Sequence, residues 1–504
     1  MMLRSTRQSA RNAGSQFGPA PLRRPGAVGL PDGGAVRGGG SGHPLGRIAE
    51  NEKLYTYERN VKEAFDSIVP TLKQISAVQH EKDFEHQAQR IARDALGFEL
   101  PDDILQDAWV EQLDMRRLFA WCVFSTYKRF CDDYYLNNPL ASHDAAGFDE
   151  FLQACGFHTL DISPCADGRL AHVVRYVLRL PQESVRRKSY AGALFDIEDS
   201  IQKWIKVELG RYREGQPNTA DEPTRYLKAV IYHYSSVDPE HQGCAAHGSD
   251  TAVAARAGLE KLNAFREAIE NSFCCGASID LLLIGLDTDT DAIRVHVPDG
   301  QGNIDLDVAV DALSLFDATA RVGASEATGA ISSAVREASP EVTPGMAQLI
   351  ERLIENNFSQ IAYVRNHHGS HYADIGHAER FIGAGVGFEE IQLRNLMYFA
   401  YLDTVEEATA DLDVGIKIFT GLNVSHSLPV PVIVRFDHHG HVPGSRERAE
   451  THCARVAEAL TSRYADLAGR GLLHVLQVTR DVDASDSIEI LACSVNAQAR
   501  AGAH

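Results

Sequence analysis

Two short apolar runs separated by a helical segment constrain the fold of this chain more than any other feature. The runs are YLKAVIYHY, residues 226–234, and IDLLLIGL, residues 279–286, and both have the length and apolar content of buried strands. Helical periodicity covers residues 252–273 between them. A strand, a crossover helix and a second strand form a parallel pair, and parallel sheets are covered by helices. We therefore expect a largely parallel α/β sheet.

The same pattern recurs near the C-terminus. AVIYHYSS (229–236) and LLLIGLDTDTDAIRV (281–295) are echoed by PVIVRFDH (431–438) and LLHVLQVTRDVDASDSIEIL (472–491), again with a helical segment between them. In this alignment His233 lies opposite Arg435, and no cysteine of the second copy has the spacing of Cys244. The pattern predicts a duplicated unit whose C-terminal copy has lost a site. Chance similarity between two βαβ units is the alternative.

The 504 residues are enough for two or three domains. After residue 50, apolar residues such as Leu54, Tyr57 and Val61 recur at helical spacing, Pro70 interrupts the pattern, and it returns over Asp102–Phe124. The fold class is therefore α+β multidomain, with an all-helical N-terminal domain, a mostly parallel α/β domain and a degenerate copy of the latter. Including a tail, the predicted parts are residues 1–50, 51–142, 143–390 and 391–504.

Residues 1–50 have the composition of a disordered basic tail. They hold 11 of the 40 glycines and 5 of the 19 prolines, with seven arginines against one aspartate and one glutamate. A basic arm on a chain of net charge −20 favours attachment to an acidic protein partner or shell surface. An inert tail is the alternative.

The composition also excludes several classes of protein. The net charge of −20 argues against nucleic-acid and anionic-membrane partners, and no apolar run approaches the length of about 18 residues that a membrane span needs. Nine cysteines, an odd number in a long chain, indicate a reducing compartment rather than a disulfide framework. We expect buried, catalytic or metal-binding cysteines.

Two segments carry residue types suited to metal chemistry. Cys165, Asp167 and Arg169 form a Cys-x-Asp-x-Arg pattern after a strand-like stretch, so their side chains share one side of an extended chain. His233 ends a predicted buried strand, and Cys244 follows in the next loop. Two cysteines and a histidine leave one open position on a tetrahedral zinc, as catalytic sites do. A buried cysteine beside a surface salt bridge is the alternative for the first segment.

Together these segments resemble the β-type carbonic anhydrases, whose zinc is held by Cys, His and Cys. The stretches HYSSVDPEHQGCAAHGSD and FCCGASIDLLLIGLDTDTDAIRV more closely resemble the carboxysomal carbonic anhydrases of α-carboxysomes. The resemblance covers nearly the whole chain. It implies a β-carbonic-anhydrase-like catalytic domain at residues 143–390 and one zinc ion per catalytic domain.

The histidine ligand has two candidates. His241 stands three residues before Cys244, the usual His-x-x-Cys spacing of β-type enzymes. In the carboxysomal family the ligand lies instead at the strand end, which corresponds here to His233. A strand end also holds a ligand more rigidly than the loop that contains Pro239. We favour Cys165, His233 and Cys244 as the zinc ligands.

The resemblance also implies the remaining roles. Asp167 accepts a hydrogen bond from the oxygen that attacks CO2, and Arg169 keeps Asp167 ionised and turned away from the metal. A histidine near the pocket carries protons, and His377 is the candidate, with a structural or surface histidine as the alternative. A second metal site among His367, His368 and His371 is a weaker reading of the same segment.

The resemblance further implies a setting. We expect CO2 and bicarbonate as substrates, a position on the inner side of the carboxysome shell, and CO2 supply to Rubisco. The tail would contact Rubisco or shell proteins, and the chain would form a homodimer or a higher oligomer. A non-catalytic, zinc-stabilised scaffold between cargo and shell is the alternative, although a structural zinc site needs neither Asp167 nor Arg169.

Three other patterns receive simpler interpretations. Residues 287–291, DTDTD, lack the glycine and the glutamate of a calcium loop and predict a polar turn. Cys274 and Cys275 are adjacent and predict buried thiols rather than a redox pair. The histidines of the diverged copy predict a solvated loop; they are His438, His439 and His441.

Overall fold

The computed structural model describes most of the chain after the predicted tail. The described residues are 43–137, 145–182, 184–219, 223–272, 278–401, 409–484 and 487–497. None of the helices within these ranges combines the length and the apolar character that a membrane crossing needs.

Helices alone make up the described part of the N-terminal region. They are α1 (Ile48–Asp66), α2 (Ile68–Ala77), α3 (Phe84–Leu96), α4 (Asp102–Asp107) and α5 (Met115–Asn137). The predicted all-helical character is confirmed for these residues. The first break differs from the prediction: it falls at Ser67, and Pro70 lies in the first turn of α2. Proline is tolerated there because its missing N–H has no acceptor within the helix.

The periodic stretch Asp102–Phe124 is also divided into two helices. Asp114 ends the connection between α4 and α5, because its Oδ1 accepts the backbone N–H groups of Arg116 (3.1 Å) and Arg117 (3.0 Å) at the start of α5. Trp109 lies in this connection and is 66% exposed. The apolar periodicity of Asp102–Phe124 therefore includes one tryptophan that lies on the surface.

Residues 43–50, assigned to the tail from composition, belong to the folded body. The His43 ring stacks on Phe316 at 4.3 Å between centroids, and its Nε2 lies 3.0 Å from Thr319 Oγ1. Gly46 donates its N–H to the His43 carbonyl (2.8 Å), so glycine forms a turn here before α1. The composition of these residues predicts disorder, but the structure uses them to form a turn. Residues 1–42 lie outside the described residues.

The first sheet has six strands, which are β1 (Thr159–Pro164), β2 (Val185–Arg187), β3 (Arg225–Tyr234), β4 (Ser278–Asp287), β5 (Ile293–His296) and β6 (Ala309–Asp311). Its helices are α6 (Ala145–Ala154), α7 (Ile197–Arg213), α8 (Thr251–Ser272), α9 (Ala312–Thr319), α10 (Ala324–Ala338) and α11 (Pro344–His367). The strands lie in the order β2-β1-β3-β4-β5-β6. Strands β2, β1, β3 and β4 are parallel, and β5 and β6 are antiparallel to their neighbours. The predicted strands at 226–234 and 279–286 and the helix between them are confirmed as β3, β4 and α8.

The second sheet has five strands in the order β11-β10-β9-β7-β8. Its strands are β7 (Phe381–Gly385), β8 (Met397–Tyr401), β9 (Val430–Arg435), β10 (Leu473–Thr479) and β11 (Glu489–Cys493). Its helices are α12 (Thr409–Leu422), α13 (Ser445–Arg463), α14 (Ala465–Gly469) and α15 (Ser494–Ala497). Strand β7 precedes the predicted domain boundary at residue 390, yet it pairs with β8 and β9 in this sheet.

Both sheets follow one topology. The order β2-β1-β3-β4-β5 corresponds to β8-β7-β9-β10-β11, with four parallel strands and a final antiparallel strand in each. In each sheet a helix precedes the central strand and another follows it: α7 and α8 around β3, α12 and α13 around β9. This common order supports the predicted duplication, which stays a proposal.

The second sheet is buried on both faces. One face shares an apolar core with the N-terminal helices, through residues such as Phe65, Tyr127 and Ile433. The other face packs against α12 and α13, through Phe419 and Val456. The edge strand β8 also reaches the first sheet's carboxyl end, where the Phe399 N–H donates to the Ala166 carbonyl (3.3 Å). The second sheet therefore borders the end of β1.

Candidate metal centre

Cys165, His233 and Cys244 converge at the carboxyl end of the first sheet. Their ligand atoms all lie within 4.8 Å of one another, and all three residues are buried. Cys165 directly follows β1, and His233 lies near the end of the adjacent parallel strand β3, so the strand order brings them together. Cys244 begins the short helical turn Ala245–His247 in the loop after β3.

The donors in this cluster fit a zinc ion. Both ring nitrogens of His233 are buried without a hydrogen-bond partner, a condition that is costly unless another ligand satisfies them. A hydrogen bond from Cys165 lowers the pKa of the Cys244 thiol and raises that of Cys165. Two sulfurs and one imidazole nitrogen form a donor set that zinc prefers over magnesium or calcium. The structure therefore places the three predicted ligands close to one another.

Asp167 and Arg169 form a bidentate pair beside this cluster. Arg169 donates from Nε to Asp167 Oδ1 (2.9 Å) and from Nη2 to Asp167 Oδ2 (2.7 Å), and both side chains are buried. Burial by itself raises the pKa of Asp167, but the Arg169 charge overcomes it and holds that pKa well below the usual range. Asp167 Oδ2 lies 3.6 Å from His233 Nε2. An ionised carboxylate therefore faces the candidate ligands.

Arg169 also connects the loops around the cluster. Its Nη1 donates to the carbonyl of Gln242 (2.6 Å), two residues before Cys244, and to the carbonyl of Ile375 (3.1 Å). The guanidinium has five donors in a rigid plane, so these bonds fix its orientation toward Asp167. Arg169 thereby holds three chain segments in one arrangement.

The structure also brings His377 to this site. His377 Nε2 lies 4.0 Å from Asp167 Oδ2, and its Nδ1 lies 3.0 Å from Glu379 Oε1. Burial lowers the pKa of His377, but Glu379 and Asp167 more than offset this, so the pKa is raised above its usual value. The side chain is 24% exposed and therefore connects the buried pair with solvent.

His241 lies outside this cluster. Its side chain is 68% exposed, and its Nδ1 is 2.8 Å from Asp238 Oδ1 in the same loop. The His-x-x-Cys spacing therefore selects a surface residue here. The strand end selects the residue that the structure places beside both cysteines.

Two residues that sequence reasoning missed hold the Asp167 loop. Glu379 Oε1 accepts the Gly168 N–H (3.3 Å), and a Cβ at Gly168 would lie 2.5 Å from Glu379 Cγ. The Asn395 N–H donates to the Gly168 carbonyl (2.8 Å), and its side chain donates to the Gly376 carbonyl (2.8 Å). Neither residue belongs to a motif, so no sequence signal pointed to them.

Asp287 ends β4, and residues 288–290 form the predicted polar turn, which is buried. Asp291 Oδ2 lies 2.7 Å from His172 Nε2 and accepts a hydrogen bond from Tyr372 (2.7 Å). Cys274 and Cys275 lie outside the described residues, so their prediction is untested.

The remaining predicted histidines have mixed outcomes. His439 and His441 are exposed, whereas His438 is buried, with Nδ1 3.0 Å from Thr479 Oγ1. The solvated-loop prediction is therefore wrong for His438, because this residue bridges to Asp481 beside the strand ends. His367 stacks on Tyr55 at 4.4 Å between centroids, and in the described ranges the segment 367–371 forms no group of possible metal ligands.

Known proteins match this chain over nearly its whole length. Models of the carboxysome shell carbonic anhydrase match as N-terminal (43–135), catalytic (147–377) and C-terminal (378–495) parts. The carboxysome shell carbonic anhydrase of Prochlorococcus marinus (strain MIT 9313) is 56% identical over 463 residues, 91% of this chain and 90% of that protein. That of Halothiobacillus neapolitanus is 44% identical over 462 residues, 89% of this chain and 90% of that protein.

These similarities agree with the convergence of two cysteines, a histidine and an Asp–Arg pair at the end of the first sheet. The chain belongs to the carboxysome shell carbonic anhydrase family.

Proposed function

We propose that this chain is a zinc carbonic anhydrase that interconverts CO2 and bicarbonate. The observation that carries the proposal is the buried Cys165, His233 and Cys244 cluster with the ionised Asp167 3.6 Å from His233. The chemistry that zinc supplies at such a site is the acidification of a water molecule into a nucleophile at neutral pH. The three residues would hold the ion and leave one position open.

Asp167 orients the attacking oxygen. Since Arg169 keeps it ionised, Asp167 is only an acceptor, and it takes a hydrogen bond from that oxygen so that a lone pair faces CO2. The two bonds from Arg169 hold the Asp167 carboxylate in place, so Asp167 would not turn to become a ligand of a bound ion. The pair therefore works as one unit.

His377 moves the proton that hydration releases. Its Nδ1 is held by Glu379, and its Nε2 lies on the side of Asp167. The raised pKa of His377 favours proton acceptance, and its partial exposure allows release to solvent buffer.

The relatives' names support a setting for this activity. They are named for the carboxysome shell, and we propose the same location for this chain, on the inner side of the shell. There, bicarbonate dehydration would supply CO2 to Rubisco. We also propose a homodimer or higher oligomer and attachment through the basic tail to Rubisco or shell protein.

The test is stopped-flow CO2 hydration, with zinc content measured on the same samples under reducing conditions. We expect about one zinc per chain in the wild type, and Asp167→Ala should keep zinc but lose about 100-fold or more in rate. His233→Ala should lose both zinc and activity, whereas the matched control His241→Ala should keep both. Zinc retained without hydration in the wild type would favour the scaffold alternative.

A further inference from the structure

We propose that His439, His441 and Asp483 form a second metal site, for a divalent ion of the zinc class, on the surface beside the second sheet. This site is separate from the cluster of Cys165, His233 and Cys244, and it does not rest on the proposed function.

The three side chains already converge. His439 Nδ1 lies 2.9 Å from Asp483 Oδ1, and His441 Nδ1 lies 2.5 Å from Asp483 Oδ2. All three ligand atoms lie within 4.8 Å of one another. Two donors on one tetrahedral zinc lie roughly 3.3 Å apart, since each bond is about 2.0–2.1 Å long. Small side-chain rotations therefore convert the hydrogen-bonded cluster into a ligand set.

The backbone beneath this cluster is held in place. The loops after β9 and β10 are joined by hydrogen bonds from the His438 N–H to the Arg480 carbonyl (2.9 Å) and from the Val482 N–H to the His438 carbonyl (2.9 Å). Asp481 Oδ1 accepts the N–H groups of Gly440 (3.0 Å) and Asp483 (3.0 Å). The ligands therefore extend from two loops with a fixed separation, and an ion need not order them.

The chemistry of the donors selects the class of ion. Two imidazole nitrogens and one carboxylate oxygen suit zinc and its neighbours among the transition metals better than calcium or magnesium. An ion would replace the imidazole protons that now point at Asp483.

The cluster is accessible from solvent. The side chains of His439, His441 and Asp483 are 56%, 71% and 32% exposed. Three protein ligands leave at least one further position on a zinc ion. Because the three side chains are exposed, such a position would be open to water or to a donor group from another molecule.

Both clusters lie at the carboxyl ends of strands in their sheets. In the first sheet the candidate ligands lie after β1, near the end of β3 and in the loop after β3, and in the second sheet they lie in the loops after β9 and β10. The interior position of the second sheet is occupied by Arg435, which pairs with Asp437 (2.8 Å) and Glu390.

The test is equilibrium dialysis of the full chain against zinc, followed by metal analysis per chain. We expect His441→Ala and Asp483→Asn each to hold one zinc ion fewer than the wild type. His426→Ala, which removes another exposed histidine of the same region, should match the wild type. The buried centre is unchanged in all four proteins, so it contributes equally to the zinc content of each.

Equal zinc content in all four proteins would overturn the proposal, because the cluster would then be only hydrogen-bonded. Asp483→Asn has the shape of the original side chain, so it decides the matter if His441→Ala folds poorly. Circular dichroism of each variant identifies a loss of zinc that comes from unfolding.

Discussion

The two sheets of this molecule share one strand order but differ in the chemistry at the end of the central strand. In the first sheet, His233 is buried with both ring nitrogens unpartnered, beside two cysteines. In the second sheet, Arg435 stands at the aligned position and is paired with Glu390 and Asp437. A polar group buried at this position is thus either available to a metal or neutralised by opposite charge.

The second sheet also differs in what covers this position. Tyr127 of α5 lies with its Oη 3.1 Å from Arg435 Nη1, so the N-terminal helical region reaches the ion pair. The corresponding end of the first sheet is covered by the second sheet, on the side of β8. There the backbone N–H groups of Asn395 and Phe399 donate to backbone carbonyls of the Asp167 loop. The second sheet therefore has a structural role beside the candidate metal centre.

The largest expected effect comes from breaking the buried ion pair. Arg435→Met leaves Glu390 buried without its arginine partner, which should cost about 3–5 kcal/mol of unfolding free energy. Asp437 loses Arg435 as well but keeps Arg480, whose Nε lies 3.6 Å from its Oδ2. Urea unfolding measures this loss. His233→Ala in metal-free protein should lower the unfolding free energy much less, because the His233 side chain makes no hydrogen bond that the substitution would remove.

Adding Glu390→Gln to Arg435→Met should recover part of the stability, since one uncompensated charge is removed. If Arg435→Met and His233→Ala destabilise the metal-free chain equally, the contrast between the two sheets is wrong.

An intermediate effect should follow the loss of the Asn395 side chain. Asn395 has a φ of 59°, so Asn395→Gly keeps the backbone conformation and its bond to Gly168 while removing the side-chain bonds. We expect the CO2 hydration rate to fall about tenfold, equivalent to one or two hydrogen bonds, with zinc retained.

Asn423→Ala is the control for this experiment. Asn423 is also buried in the C-terminal region, where its side chain donates to the Pro429 carbonyl (2.7 Å). It should lose stability but not hydration rate. An unchanged rate in Asn395→Gly would mean that the Asn395 side chain does not position the Asp167 loop.

The smallest expected effect is a pH dependence of stability. Burial raises the pKa of Glu390, but Arg435 overcomes this and lowers it to about 2. Its ordinary value is about 4.3, so the folded state binds this proton less readily than the unfolded state. The contribution to stability is complete above about pH 4.3 and is lost as pH falls through about 2.

Urea midpoints at pH 5 and pH 3 measure this dependence. The wild type should lose more stability over that interval than Glu390→Gln, which has no carboxyl to protonate. Equal losses in the two proteins would exclude Glu390 as the source.

Sequence patterns predicted strands β3 and β4, helix α8 and the C-terminal βαβ echo, because apolar runs of that length and spacing report burial directly. They also grouped Cys165, His233 and Cys244, since strand ends in a parallel sheet meet at one edge. Composition wrongly assigned residues 43–50 to the disordered tail, because turn-forming residues are also typical of disorder. The apolar periodicity includes Trp109, which lies on the surface, because sequence alone does not show which apolar residues are covered.

The sequence by itself determined the kinds of donor available and the strands that carry them. Residue identity and the spacing of apolar residues are properties of the local sequence. Cys165, Asp167, Arg169 and His233 could therefore be identified as candidate site residues without a structure. Only the tertiary structure placed His233 beside both cysteines and His241 on the surface, brought His377 and Asn395 to the Asp167 loop, and gathered His439, His441 and Asp483. Those choices depend on distances between segments far apart in the chain, and packing alone sets such distances.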